Sequence, residues 1–316
     1  MCAVFGFLDY KSKISNTILK KLIQNLSIAA EVRGTDATGI SYVNHEKVVT
    51  FKKAKPAHKV KLYFPKNTRA VIGHTRMTTQ GSEKYNHNNH PFDGRCGTET
   101  FALAHNGVLY NDAELKTKYH LPKTQIETDS YVAVQLLEQE KQLHAESIKR
   151  MAESVEGSFV FTILRNDNTL FLVKGNNPLT IYHFSKLGIY VYASTKSILD
   201  NALQQVNLSD KCCEIDVSEG EIVEIVANGK FNKTTFAMQN SVFSPYNWDN
   251  LNWYETEEQE ECLLECCRMF GVSEEDVYLL LDYGFSADEI EEMLMNPCLL
   301  EDALTEISVL EQEDAE

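Results

Sequence analysis

A cysteine at position 2 raises a specific chemical question. Once Met1 is removed, Cys2 carries its own α-amine, whose reference pKa of ~7.7–8.0 lies far below that of a lysine. That amine can take the thiol proton, directly or through a water, and later return it to a leaving amine. Nucleophile and base then come from one residue. Position alone favours a buried cysteine in a core strand, so the neighbouring motifs carry the argument. Val71-Ile-Gly-His-Thr-Arg-Met-Thr-Thr-Gln-Gly81 places Arg76 directly after an apolar run and follows it with hydroxyls. A guanidinium there suits a forked grip on a carboxylate, with Thr79 as an added donor, although a lone arginine also serves in structural salt bridges. Phe101-Ala-Leu-Ala-His-Asn-Gly-Val-Leu-Tyr-Asn111 ends a strand in His-Asn-Gly, where the Asn106 amide and the Gly107 N–H can form an oxyanion hole. Asn-Gly by itself marks a turn. Glu127-Thr-Asp-Ser-Tyr131 opens a helix, and Asp129 either pairs with a substrate ammonium or caps that helix. A thiol with an amine base, an oxyanion hole, a cationic clamp and an anionic clamp together fit a substrate with an α-carboxylate, an α-amine and a side-chain carbonyl. Glutamine meets that description.

These groups need elements to hold them. Cys2–Leu8 is an apolar run closed by Asp-Tyr-Lys-Ser, the pattern of a buried strand. Ile18, Leu19, Leu22, Ile23 and Leu26 recur near every 3.6 residues and predict a helix over 15–31, capped by Ser15 or Asn16. Arg33-Gly-Thr-Asp-Ala-Thr-Gly39 is turn-rich and leads into a strand at Ile40. Further strands are predicted at 47–53, 69–74, 101–105, 158–164, 169–174, 180–184, 188–193 and 221–226, and helices at 111–119, 127–142, 144–154 and 195–202. Asn88-Asn-His-Pro-Phe92 reads as a loop. Strands in consecutive runs with helices grouped between them predict an α+β fold with largely antiparallel sheets.

The chain has 316 residues, enough for one large domain or two smaller ones, with a full core and no need of disulfide or metal staples. Its net charge of −16 is unevenly spread: residues 255–316 hold 21 acids and the single base Arg268, leaving residues 1–254 at +4. The acidic tail disfavours nucleic acid and anionic membrane as partners. No apolar stretch approaches the ~20 residues of a membrane helix, and the start lacks the basic region of a signal peptide. Two adjacent pairs among the eight cysteines argue against a disulfide framework and for a reduced, cytoplasmic setting. Cys262, Cys266 and Cys267 sit in a helical pattern without a second CxxC, which reads as small apolar helix residues rather than a zinc site. There is no GxGxxG or P-loop, so no nucleotide is expected, and no metal or other cofactor is called for.

The ordered motifs Met1-Cys-Ala-Val-Phe-Gly, Arg33-Gly-Thr-Asp-Ala-Thr-Gly39, Gly73-His-Thr-Arg-Met-Thr-Thr-Gln-Gly81, Asn89-His-Pro91, His105-Asn-Gly-Val-Leu-Tyr-Asn111 and Glu127-Thr-Asp129 resemble those of class II glutamine amidotransferases. These carry the N-terminal-nucleophile (Ntn) glutaminase domain of glucosamine-6-phosphate synthase and amidophosphoribosyltransferase. Glu156-Gly-Ser-Phe159, Gly175-Asn-Asn-Pro-Leu179 and Ala193-Ser194 also resemble that domain, and the similarity spans about residues 2–230. The resemblance implies a four-layer αββα Ntn-hydrolase sandwich. It implies Cys2 as nucleophile and base, Asn106 and Gly107 as the oxyanion hole, Arg76 and Thr79 on the α-carboxylate, Asp129 on the α-amine, and Arg33 in support of the nucleophile. Three positions depart from the family pattern: Ala3 stands where glycine is usual, Met77 where an aromatic is common, and Gln80 where histidine often appears.

The amidotransferase domain is thus expected over residues 2–235, a linker over 236–255 and an acidic helical domain over 256–316. Helices are predicted near 256–269, 274–282, 286–295 and 299–310, forming a small C-terminal all-α unit. Leu280-Leu-Asp-Tyr-Gly-Phe-Ser286 and its surroundings resemble a ubiquitin-associated-type three-helix module; a plain helical subdomain is the alternative. No acceptor-domain motif follows residue 235, so the expected activity is release of ammonia from L-glutamine through a γ-glutamyl thioester. The ammonia acceptor is expected on a separate protein, docked on the acidic helices. Hydrolysis of another γ-glutamyl amide, or a non-catalytic binding module that keeps the fold, are the alternatives.

Overall fold

A computed structural model describes residues 2–206, 208 and 210–238, and beyond them 263, 264, 267, 268, 271–283, 285, 290, 293, 294, 299, 300, 303–305 and 307. The chain divides into two compact units, Met1–Phe243 and Ser244–Glu316.

In the first unit, strand β1 (Ala3–Asp9) and helix α1 (Asn16–Ala29) precede β2 (Ala37–Asn44), β3 (Lys47–Lys53), β4 (Ala70–Arg76), β5 (Phe92–Cys96) and β6 (Glu99–Leu109). Helices α2 (Asp112–Lys118), α3 (Tyr131–Glu138) and α4 (Ala145–Ser154) follow. Then come β7 (Gly157–Arg165), β8 (Leu170–Lys174), β9 (Thr180–Phe184), β10 (Ile189–Ala193), α5 (Lys196–Gln204), β11 (Cys213–Ile215), β12 (Glu221–Ile225) and β13 (Phe231–Thr235). One sheet has seven strands in the order β11-β9-β10-β1-β4-β2-β3, the other six in the order β13-β12-β8-β7-β6-β5. Neighbouring strands in both run antiparallel.

Alternation along β1 builds the layers. Ala3, Phe5 and Phe7 point to one face and pack with Leu19, Leu22 and Ile23 of α1 and with Ile198 and Leu199 of α5. Val4 and Leu8 point to the other face, where Val4 meets Ala104 and Val160, and Leu8 meets Leu164 and Leu172, all from the six-stranded sheet. On that sheet's far side Leu103, Phe159 and Phe161 pack against Val132 and Leu136 of α3 and Ile148 and Met151 of α4. The order is helix, sheet, sheet, helix, as the motif resemblance implied. Ser15 caps α1 by accepting from the Ile18 N–H.

Three strands were not expected from the sequence, β5, β11 and β13, and each lies at a sheet edge. An edge strand needs only one partner and tolerates polar residues, so Phe-Asn-Lys-Thr-Thr shows no apolar alternation yet pairs with β12. The helix expected over 127–142 is corrected to Tyr131–Glu138. Residues 127–130 are held out of it because Asp129 and Ser130 use their side chains on other elements, which competes with helical bonding.

In the second unit, α6 (Glu274–Asp282) is capped by Ser273, which accepts from the Asp276 N–H. Val277, Leu280, Ile290, Leu294, Ala303 and Ile307 share an apolar cluster, and Cys267 is buried among them as a small hydrophobe. The first residues of the expected linker belong to the first unit, with Phe236 buried in its core; the rest of the linker, most of the other three helices and Cys262, Cys266 and Cys298 lie outside the described residues. Among the described residues no helix is long and apolar enough to cross a membrane.

Candidate active site

Cys2 opens the central strand of the seven-stranded sheet. Val4 is pinned just beyond it, with its N–H donated to Ser194 Oγ at 2.9 Å and its carbonyl accepting from Ser194 N at 2.9 Å. The Cys2 thiol lies 3.4 Å from both the N–H and the carbonyl oxygen of Met77, and Arg33 Nε donates to the Cys2 carbonyl at 2.9 Å. Burial pushes the Cys2 thiol pKa up, against the opposing pull of the Met77 N–H and the Arg76 charge. Burial thus favours the thiol over the thiolate.

The loop under the sulfur is held by Asp36, whose carboxylate accepts from the Thr78 N–H at 2.7 Å, and by the Asp36 N–H, which donates to the Arg76 carbonyl at 2.9 Å. Gly34 lets these segments meet: a Cβ there would lie 2.5 Å from the Arg76 carbonyl carbon. The extra methyl of Ala3 is accommodated in the helix-side cluster with Phe5 and Ala30.

A small, partly open hollow lies beside the thiol. Five of the seven residues singled out from the sequence line it: Cys2, Arg76, Thr79, Gly107 and Asp129. Arg33 stands behind Cys2, in contact with its backbone. Asn106 is fully buried next to Gly107, with its carbonyl accepting from Asn177 Nδ2 at 2.9 Å. The amide nitrogen and oxygen of its side chain have no hydrogen-bond partner, which is uncommon for a buried amide. Asn106 and Gly107 do not end a strand, as the sequence suggested, but lie inside β6 opposite Val160 and Phe159. Gly107 has φ +145°, and a Cβ there would sit 1.8 Å from the Ser158 carbonyl oxygen, so only glycine fits.

The two clamps are more constrained than the sequence implied. Arg76 Nη1 donates to Asn89 Oδ1 at 2.7 Å, and Nη2 donates to the carbonyls of Gln80 and Gly81 at 2.6 and 2.8 Å. Three of its five N–H groups thus hold the loop that it shares with the hollow, and an incoming carboxylate meets at most the other two. Asp129 does not cap α3; its Oδ2 accepts from the Leu109 N–H at 2.6 Å, which ties it to β6. Asn88 ties its loop to the segment just before Asp129, bonding Glu127 through both its amide nitrogen and its amide oxygen.

Sequence reasoning missed three buried histidines. His74 and His90 have ring centroids 4.2 Å apart, His90 and His105 6.5 Å, and His90 and His105 line the hollow. Burial lowers the pKa of each, that of His74 to about 3. His74 Nε2 donates to the His105 carbonyl at 2.9 Å, and His105 bonds Ser130 Oγ and the Ser158 carbonyl. Neither ring nitrogen of His90 has a partner, and the hydroxyl of Thr128 on the same hollow has none either. The Asn-His-Pro and His-Asn-Gly motifs located two of these rings, but a motif does not say which way a ring faces. Among the described residues no group of three or more His, Cys, Asp or Glu side chains could hold a metal ion.

A cysteine just ahead of a buried strand, in a fold of two stacked antiparallel sheets with helices outside, fits the Ntn type of sandwich. The fold matches glutamine phosphoribosylpyrophosphate amidotransferase from Bacillus subtilis at a TM-score of 0.58 and 22% identity, over 75% of this chain and 50% of that one. Residues 74–201 match the glutamine amidotransferase domain family. The chain is 29% identical over 231 residues to 7-cyano-7-deazaguanine synthase 2 of Sulfurisphaera tokodaii, covering 69% of this chain and 49% of that protein. It is 30% identical over 220 residues to glutamine–fructose-6-phosphate aminotransferase (isomerizing) of Bacillus subtilis, covering 67% of this chain and 35% of that protein. The chain thus spans half or less of these relatives. It belongs to the class II glutamine amidotransferases.

Proposed function

We propose that the first unit releases ammonia from glutamine by covalent catalysis at Cys2. The observation that carries this reading is the coincidence, along one hollow, of the Cys2 thiol with Gly107, whose chain neighbour Asn106 holds a buried amide without a partner. Among the described residues the sulfur has hydrogen-bond contacts only with the Met77 backbone, and both ring nitrogens of His105 are engaged elsewhere. That favours the α-amine of Cys2, freed by removal of Met1, as the base. The amine takes the thiol proton as sulfur attacks the γ-carbonyl carbon. The Asn106 amide and the Gly107 N–H hold the negative oxygen. Collapse breaks the C–N bond, the ammonium of Cys2 returns its proton, and ammonia leaves a γ-glutamyl thioester. Water then hydrolyses the thioester to glutamate and restores the thiol. Arg76 and Thr79 orient the α-carboxylate, Asp129 the α-ammonium, and Arg33 the backbone of the nucleophile.

The ammonia goes to an acceptor on a separate protein. Support for this second half of the reading is chemical: residues 255–316 carry 21 acids against one base, a surface suited to a basic partner, in a unit of its own. Two relatives, a synthase and an aminotransferase, fit a glutaminase half that supplies nitrogen to another active centre.

Intact mass of the purified protein should show loss of Met1, and a glutamine-analogue electrophile should label Cys2 and nothing else. A screen of free glutamine against γ-glutamyl amides and peptides, with and without a basic partner fraction, then reads the amide and the acceptor. Retention of Met1 in soluble protein would falsify the amine-base mechanism.

A further inference from the structure

Lys52 lies on β3, outside every motif that points to the chemistry, yet its ammonium reaches the site's scaffold. Its Nζ donates to the Asn89 carbonyl at 2.6 Å and to the Pro91 carbonyl at 3.1 Å, bracketing His90 between the two bonds. The ammonium also sits 4.9 Å from the centre of the Phe92 ring. The bracketed segment bears on the hollow twice, once through Arg76 and once directly. Asn89 Oδ1 receives Arg76 Nη1, and the His90 ring lines the wall. In return, Asn86 Nδ2 donates to the Lys52 carbonyl at 3.0 Å, so the lysine's strand and the loop grip each other at two points.

Among the described residues Lys52 has no salt bridge. The nearby carboxylate, Asp93 of β5, is hydrogen-bonded to Thr50 Oγ1, which in turn meets Ser41 Oγ at 2.7 Å. A lysine that is largely buried, without a carboxylate partner, and spent on two backbone carbonyls around one active-site residue is costly to keep unless those carbonyls must stay in place.

The geometry points to Lys52 as a positioning residue for glutamine: its ammonium locks Asn89-His90-Pro91, and through Asn89 it orients the Arg76 clamp. The inference rests on the glutaminase reading above. Because the lock is a charge-assisted pair of bonds, it weakens as the ammonium loses its proton. Burial lowers the Lys52 pKa to about 8, with Arg76 pushing the same way and Asp93 opposing. The charged and titratable groups around it are Asp93 from β5, Arg76 and His74 from β4, and His90 from the loop; both imidazoles are neutral across that range. Below pH 8 the lock is closed, and above it the half-saturating glutamine concentration rises. The α-amine of Cys2 works in the opposite direction and on turnover, since its deprotonation supplies the base.

The test is glutamate release by the full chain between pH 6.5 and 9.5, for wild type, Lys52→Met and Lys52→Arg, with thermal unfolding and the His90 ring signals in NMR recorded on the same samples. Wild-type KM should climb with a midpoint near pH 8 while kcat does not fall with it. Lys52→Met should show a KM raised about tenfold at pH 7, the loss of one charge-assisted bond, and flat with pH. Lys52→Arg should restore a low KM and keep it low to pH 9.5. If Lys52→Met does not fold, the wild-type and Lys52→Arg profiles carry the decision. A wild-type KM that stays constant through pH 8, or an unmoved His90 signal and KM in folded Lys52→Met, overturns the inference alone. No glutamate from wild type with any amide overturns the glutaminase reading and this inference with it.

Discussion

The two ends of β1 make a controlled comparison, because the same buried strand leaves a histidine near each. At the far end, His183 Nε2 pairs with the Tyr10 hydroxyl at 2.9 Å and its ring stacks on Tyr190 at 4.1 Å. Arg69 donates to the carbonyls of Tyr10 and Ala227 there. At the near end, His90 has no partner on either ring nitrogen, the Asn106 amide has none, and Gly107 adopts a backbone angle that other residues rarely reach. Buried polar groups normally pair with one another; Arg69 Nε at the far end also lacks a partner, but at the near end the unpaired groups include His90 and Thr128 of the hollow itself. The contrast also separates two kinds of cost. A partnered group contributes to stability, whereas a waiting group detracts from it and acts on the reaction.

The largest expected effect is at the near end. Cys2→Ala should abolish glutamate release, a drop of more than about 10³-fold, while the unfolding midpoint stays near that of wild type. Substantial residual activity would move the chemistry elsewhere. Next, Asn106→Ala should lower kcat about 10²-fold or more with little loss of stability, because the amide it deletes has no protein partner. Its counterpart at the far end, Tyr10→Phe, should leave kcat and KM alone and cost about 1 kcal/mol in denaturant unfolding. If the two variants exchanged phenotypes, the distinction between waiting and paired groups would collapse.

Arg76→Lys should raise the half-saturating glutamine concentration about tenfold with a smaller change in kcat. A point charge reproduces neither the contact with the substrate nor the three bonds that hold Asn89 and the 80–81 carbonyls. An unchanged half-saturation in this variant contradicts the clamp.

The last effect is on stability against pH and leaves the reaction untouched. The His74 pKa is about 3 in the folded chain and near 6.5 when unfolded, so the unfolded state binds more protons between those values. Stability is then fully present above pH 6.5 and falls as pH drops through this window. By pH 5 the loss is about 2 kcal/mol. His74→Gln, which keeps a donor for the His105 carbonyl, should show a shallower fall in urea melts at pH 7 and pH 5. Equal slopes would mean that the buried histidine cluster does not titrate on unfolding.

Much of the site was legible because its residues fall in short ordered motifs. Cys2, Arg76, Asn106, Gly107 and Asp129 each sit at an element's end or in a turn-like signature, and their types alone describe a substrate. The interior strands were legible too, since both faces of β1 and β10 are buried and their apolar runs are unbroken. Edge strands and the start of α3 were not. Their conformation is set by a partner strand or by side chains reaching another element, and neither leaves a periodic trace.

Local chain chemistry therefore determined which groups this protein owns: a thiol one residue from the start, a glycine that alone tolerates its backbone angle, an acidic tail and a nearly neutral body. Tertiary packing alone decided what those groups are free to do. It spent three N–H groups of Arg76 on a loop, turned Asp129 onto β6, left Asn106 and His90 without partners and carried Lys52 to the back of the clamp. The physical reason is that hydrogen bonds and burial depend on neighbours far apart in sequence. Covalent order names the donors and acceptors, and only the folded arrangement says which of them remain unspent.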